Sequence, residues 1–99
     1  MSSSFNSIIN SNPLVLIDFY AHWCGPCKAL APILKAVKHE LADTIKIIKI
    51  DVDKNQAVAQ KYAIKGVPTL ILFHQGKIIW RKSGVVQANE IKQHLAQIQ

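Results

Sequence analysis

The stretch "PLVLIDFYA" (13–21) limits what this chain can fold into more than any other. It is a continuous apolar run with one acid inside it. Continuous hydrophobicity, as opposed to alternation, marks a strand covered on both faces. Such a strand needs a layer of helices above it and another below, and the rest of the chain supplies them. Leu30, Ile33, Leu34, Val37 and Leu41 repeat at helical spacing and predict a helix from about Cys24 to Leu41. Pro26 suits its first turn, whereas Pro32 falls inside and is expected to kink it. "TIKIIKIDV" (44–52) reads as a second strand, and Asp53 as the cap of a short helix over about 55–62. "GVPTLILF" (66–73) gives a third strand, "HQGK" a turn and "KIIWRKS" (77–83) a fourth strand, a short connection that predicts an antiparallel hairpin. Ala88, Ile91, Leu95 and Ile98 line one face of a C-terminal helix, and Ser4 to Asn10 forms a short first one. The order (α)βαβαββα implies an α/β fold. Its mixed sheet carries helices on both faces, and its first two strands run parallel through a right-handed crossover.

Ninety-nine residues are expected to form one domain, 1–99, and a 49% hydrophobic content is enough for its core. No apolar stretch approaches the roughly 20 residues that span a bilayer, so no membrane partner is expected. "MSSSFNSIINSNP" has neither an early positive charge nor a continuous apolar run. It does not read as a signal peptide, and the cytoplasm is the expected compartment. Twelve Lys and Arg against six Asp and Glu give a net charge of +6. The lysines are scattered singly from Lys28 to Lys92, whereas phosphate tracking needs a focused patch, so nucleic acid is not an expected partner. The basic balance reads as a solvated surface, or as the complement of an acidic docking face on a partner.

The two cysteines stand in "HWCGPCK" (22–28). At i and i+3 in a first helical turn they share a face, close enough for a disulfide. A permanent bridge does not suit a thiol-rich cytosol. A zinc site needs four ligands, but no histidine follows His39 closely and His74 and His94 are isolated, so no metal is expected. Cys24 lies where strand gives way to helix, and unpaired N–H groups and the helix dipole there favour an anion. At an ordinary pKa of ~8.5, about 3% of a thiol is ionised at pH 7, and lowering the pKa to ~7 takes roughly 2 kcal/mol. A helix terminus usually supplies ~0.3–1 and at best ~2 kcal/mol. A further hydrogen bond is therefore expected, from the Cys27 thiol. Cys27, one turn in, is expected to be the less exposed of the two.

"DFYAHWCGPCK", then "PIL", "KIDVDKN", "GVPTLILF" and "SGV", resemble the thioredoxin family in order and approximate spacing, over about Leu14 to Leu95. C-x-x-C beside a βαβ pattern is that family's recognised signature. The resemblance implies a thioredoxin fold and a protein-disulfide reductase. In it Cys24 attacks a substrate disulfide and Cys27 resolves the mixed disulfide. Asp18 would lie buried behind the pair and take the proton of Cys27 through water; an isolated carboxylate among Leu16, Ile17, Phe19 and Tyr20 should have a raised pKa. Lys49 would lie near that carboxylate. Val67–Pro68 would be a cis bond opposite the cysteines, with Trp23, Val67, Pro68 and Gly84 forming the substrate-docking surface. Gly25 and Pro26 would set the reduction potential, and a protonated His22 would favour the Cys24 thiolate.

No cofactor beyond the redox-active disulfide Cys24–Cys27 is implied. The implied partners are disulfide-containing proteins and a thioredoxin reductase, because the chain has no nucleotide-binding glycine fingerprint; the protein itself is expected to be a monomer. Only 13 residues precede "LVLIDFYA", where the family places a strand and a helix. We therefore expect four strands, without the first family strand, and "TIKIIKI" as an exposed edge. Lys46 and Lys49 would discourage edge pairing there, although Lys49 cannot do so and also face Asp18. The competing reading is a non-catalytic thioredoxin-fold binding module in a larger complex, using the same Trp23–Val67–Gly84 surface.

Overall fold

The computed structural model describes residues 2–98. Its elements are α1 (Ser2–Ile9), β1 (Leu14–Tyr20), α2 (Gly25–Leu41), β2 (Lys46–Asp51), α3 (Gln56–Lys61), β3 (Thr69–His74), β4 (Lys77–Ser83) and α4 (Ala88–Ala96). A short 3-10 turn, Ala42–Thr44, links α2 to β2. The order is the expected one, and the described residues form a four-stranded sheet in the order β2-β1-β3-β4. β1 and β2 pair in parallel, whereas β3 pairs antiparallel with both β1 and β4. This places β2 at an open edge, as expected.

Side chains on β1 alternate between two cores, as the pleat requires. Val15, Ile17 and Phe19 pack with Phe5, Ile9, Val58, Ile71 and Phe73 on the side of α1 and α3. Leu16 packs with Leu30, Leu34, Val37, Leu70, Leu72 and Ile91 on the side of α2 and α4. A fully buried side chain of this size stabilises the fold by about 1.5–3 kcal/mol, so β1, buried on both faces, is the anchor of the molecule. Asp18 shares its parity with Leu16. The strand therefore directs its one acid beneath α2, the helix that carries the cysteines.

The hairpin turns on Gln75 and Gly76, both at positive φ (52° and 79°), which matches the right-handed twist of its strands. Two expectations need correction. Asp53 does not cap α3: the capping position is Asn55, which makes no side-chain capping bond, and the Asp53 carboxylate is held elsewhere. The turn is instead pinned by Asp51, whose Oδ1 accepts from the amides of Asp53 (2.9 Å) and Lys54 (3.3 Å). Finally, α4 ends at Ala96, so Ile98 packs on the core from beyond the helix.

A candidate redox site at the start of α2

Cys24 is the N-cap of α2, with extended backbone (φ −90°, ψ 114°), and Pro26 occupies the first turn, where its missing N–H costs nothing. The Cys27 amide donates to Cys24 Sγ at 3.1 Å, the bond a Ser or Asp would ordinarily accept at such a cap. The two sulfurs are bonded as a disulfide, with Cα atoms 5.3 Å apart. The amide is one of the unpaired helix-start N–H groups that sequence reasoning expected to favour an anion here, though it did not single out Cys27 N–H. The signal was present, because an N-cap side chain accepts from the backbone N–H two or three residues on.

The pair does not differ in exposure as expected. Both cysteines are buried, Cys24 at 3% and Cys27 at 6%, because the bridged sulfurs fold against Ala21, Tyr20, Val52 and Val67. Cys24 Sγ lies 3.6 Å from the Val67 carbonyl oxygen, the direction in which a reduced thiol would donate. Val67–Pro68 is cis. The next turn is closed by Gly84, at φ 93°, whose amide donates to the Pro68 carbonyl at 2.9 Å. Cys24, Val67 and Pro68 are thus brought together, with Gly84 bonded behind them.

Trp23 is 70% exposed and so is not a core residue. Its indole Nε1–H donates to Asp53 Oδ2 at 2.9 Å, which ties the rim of the cysteine pair to the loop after β2. Sequence reasoning had no signal for this contact, since the partners are 30 positions apart and Asp53 looked like a cap. Gly25 and Pro26 are exposed in the first turn of α2.

Asp18 is 1% exposed, and its Oδ1 is buried without a hydrogen-bond partner among the described residues. Burial pushes its pKa up from 3.8 to about 6, and the Lys49 ammonium offsets part of that rise. Lys49 stands opposite Asp18 in the β1–β2 register and sets its Nζ 4.5 Å from the centre of the Tyr20 ring. Of the two edge lysines, Lys49 therefore turns to the α2 side, and Lys46, one odd step away in parity, faces the other. A cavity of about 220 Å3 is lined by Asp18, Lys35, Lys38 and Lys49, and a second of about 250 Å3 by His22, Cys27, Lys28 and Lys49. His22 thus stands on the Cys27 side of the pair. No group of three or more potential metal ligands occurs among the described residues.

The thioredoxin family model matches residues 1–97. A thioredoxin-like protein of Synechocystis sp. is 46% identical over 94 residues, covering 94% of this chain and 90% of the relative. The chloroplastic thioredoxin Y2 of Arabidopsis thaliana is 44% identical over 94 residues, 94% of this chain and 56% of the relative. Among solved structures, oxidized mitochondrial thioredoxin 3 of Saccharomyces cerevisiae superposes with a TM-score of 0.87 at 29% identity, over 98% of this chain and 90% of that one.

Proposed function

The chain belongs to the thioredoxin family and is a thiol–disulfide oxidoreductase, and from that premise we propose how its residues divide the work. In the reduced protein the Cys24 thiolate attacks one sulfur of a substrate disulfide. A Cys24–substrate bond forms as the substrate's own S–S bond breaks, and the departing substrate sulfur takes a proton. Cys27 passes its proton to Asp18 and attacks Cys24 Sγ. The mixed disulfide breaks, the second substrate thiolate leaves, and the Cys24–Cys27 disulfide remains. Two electrons have moved from the pair to the substrate.

The observation that carries this assignment is the Cys27 amide aimed at Cys24 Sγ from the mouth of a 17-residue helix. A donor placed there favours negative charge on Cys24, which supports its reading as the attacking sulfur. Cys27, inside the first turn and next to the cavity shared with Lys49, lies on the side from which Asp18 is approached. A base with a pKa of about 6 is well matched to accepting a thiol proton near neutrality. Trp23, Val67, Pro68 and Gly84 form the surface on which the substrate chain docks, and Gly25 and Pro26 tune the potential through the first turn.

Proteins bearing reactive disulfides are the substrates in this reading, and a thioredoxin reductase returns the electrons. The protein works as a monomer without a bound cofactor, in a reducing cytoplasm; the chloroplastic relative makes cell fractionation the direct check on compartment. The decisive experiment is NADPH-coupled reduction of a model protein disulfide in the presence of a thioredoxin reductase. Cys24→Ser should abolish turnover, and Cys27→Ser should accumulate a covalent adduct with the substrate. Equal rates for wild type and Cys24→Ser would reject catalysis in favour of a binding module.

A further inference from the structure

On α2, Lys28, Ala31, Lys35 and Lys38 follow one another at intervals of three and four, so they form a single stripe along the helix. Lys49 of β2 faces that stripe, and the two cavities between them share Ala31 and Lys49. Together they make one groove, which starts at Cys27, passes over Asp18 and leads toward the open β2 edge. All four of its lysines, Lys28, Lys35, Lys38 and Lys49, are exposed.

The chain neutralises this groove only in part. Glu90 pairs with Lys82 and Glu40 with Lys92, both away from it. Asp51 is occupied by two amides and Asp53 by Trp23, and Asp43, in the turn between α2 and β2, makes no ion pair with a groove lysine among the described residues. The one carboxylate lining the groove among the described residues, Asp18, is buried and largely ionised above its raised pKa of about 6, where it offsets the charge of Lys49 and leaves Lys28, Lys35 and Lys38 in excess. Of the lysines, Lys38 is used by the fold, donating to the carbonyls of Ala42 and Ile45, both at 2.7 Å. Among the described residues, Lys28 and Lys35 have no such partner. A concave cluster of cations that outnumber its one buried carboxylate focuses the field and draws in negative charge.

From this we infer that the α2–β2 groove is a docking site for an acidic segment of the substrate protein, rich in Asp or Glu and adjacent to its reactive disulfide. The groove adjoins Cys27, so its occupant arrives with the disulfide and selects among substrates. The inference rests on the reductase reading above and adds the substrate class to it.

The test uses two model peptides, each with one intramolecular disulfide, one flanked by Asp and Glu and the other by Ser and Asn. At about 10 mM salt, where screening extends to about 30 Å, the ratio of kcat/KM, acidic over neutral, should be about tenfold. At about 1 M salt, where it falls to about 3 Å, the ratio should approach one. The variant K28Q/K35Q should also bring the low-salt ratio near one. K46Q/K77Q removes the same net charge from outside the groove and should retain the preference. A wild-type ratio near one at low salt overturns the inference. So does a preference that survives K28Q/K35Q, or one lost equally in K46Q/K77Q, which would trace it to net charge alone. Failure of the wild type to reduce even the neutral peptide would overturn the reductase reading itself.

Discussion

Asp18 offers the sharpest quantitative test, because its environment affects the fold as well as the chemistry. In the unfolded chain this carboxyl ionises at its ordinary 3.8, whereas in the folded protein burial holds the proton until about pH 6. As pH rises through that window, the unfolded chain gives up its proton first. The folded state is left to carry a buried charge, and stability falls. Above about pH 6 the loss is complete. A pKa difference of about two, at 1.36 kcal/mol each, is about 3 kcal/mol. Asp18→Asn keeps the shape and cannot ionise. Its stability relative to wild type should therefore grow by about 3 kcal/mol between about pH 3 and pH 8. Taking the difference of differences removes any fixed cost of the buried amide and the titration of every other group. Urea denaturation of both oxidised proteins at the two pH values measures it, and at pH 8 the gain should correspond to about 10 °C or more in Tm for a domain of this size. If the gap between the proteins stays constant across that range, the carboxyl is not desolvated and its assignment as the base beneath α2 fails.

Two other outcomes follow from the same packing. The Arg81 guanidinium donates to the carbonyls of Tyr62 and Ala63, at 2.5 and 2.8 Å, and so binds the end of α3 to β4. Arg81→Gln should cost about 1–2 kcal/mol in urea denaturation, and unchanged stability would show that water serves those carbonyls equally well. Along β2, which among the described residues pairs only with β1, amides directed outward should exchange with deuterium far faster than those directed inward. Uniformly slow exchange over 46–51 would mean the edge is covered in solution.

Much of this architecture was legible because it depends on neighbours in sequence. The run from Leu14 to Tyr20 shows burial on both faces directly, and the Leu30–Leu41 spacing shows the stripe of α2 that lands on it. The place of Asp18 behind the cysteines was implied by the family resemblance, and its parity with Leu16 along β1 is the physical reason for it. What escaped depends on the route of the chain through space. Asp53 has the chemistry of a helix cap, and only the approach of Trp23 from 30 positions away decides that it serves the indole instead. Arg81 reads as an ordinary strand residue until the end of α3 arrives beside it. The groove needs α2 and β2 side by side before scattered lysines become a cluster. The expected contrast in exposure between Cys24 and Cys27 failed because a bridged pair is buried together.

The alternation along β1 also ties chemistry to folding more tightly than a surface site could. Slide that strand by one residue against its neighbours and every side chain changes sides. Phe19 would then be pressed beneath the cysteine helix, and the carboxylate would be marooned among Phe5, Tyr62 and Phe73, with no thiol in reach. A mispaired chain of this sequence would be inactive as well as unstable, so an intact catalytic cycle itself certifies that the central strand is in register.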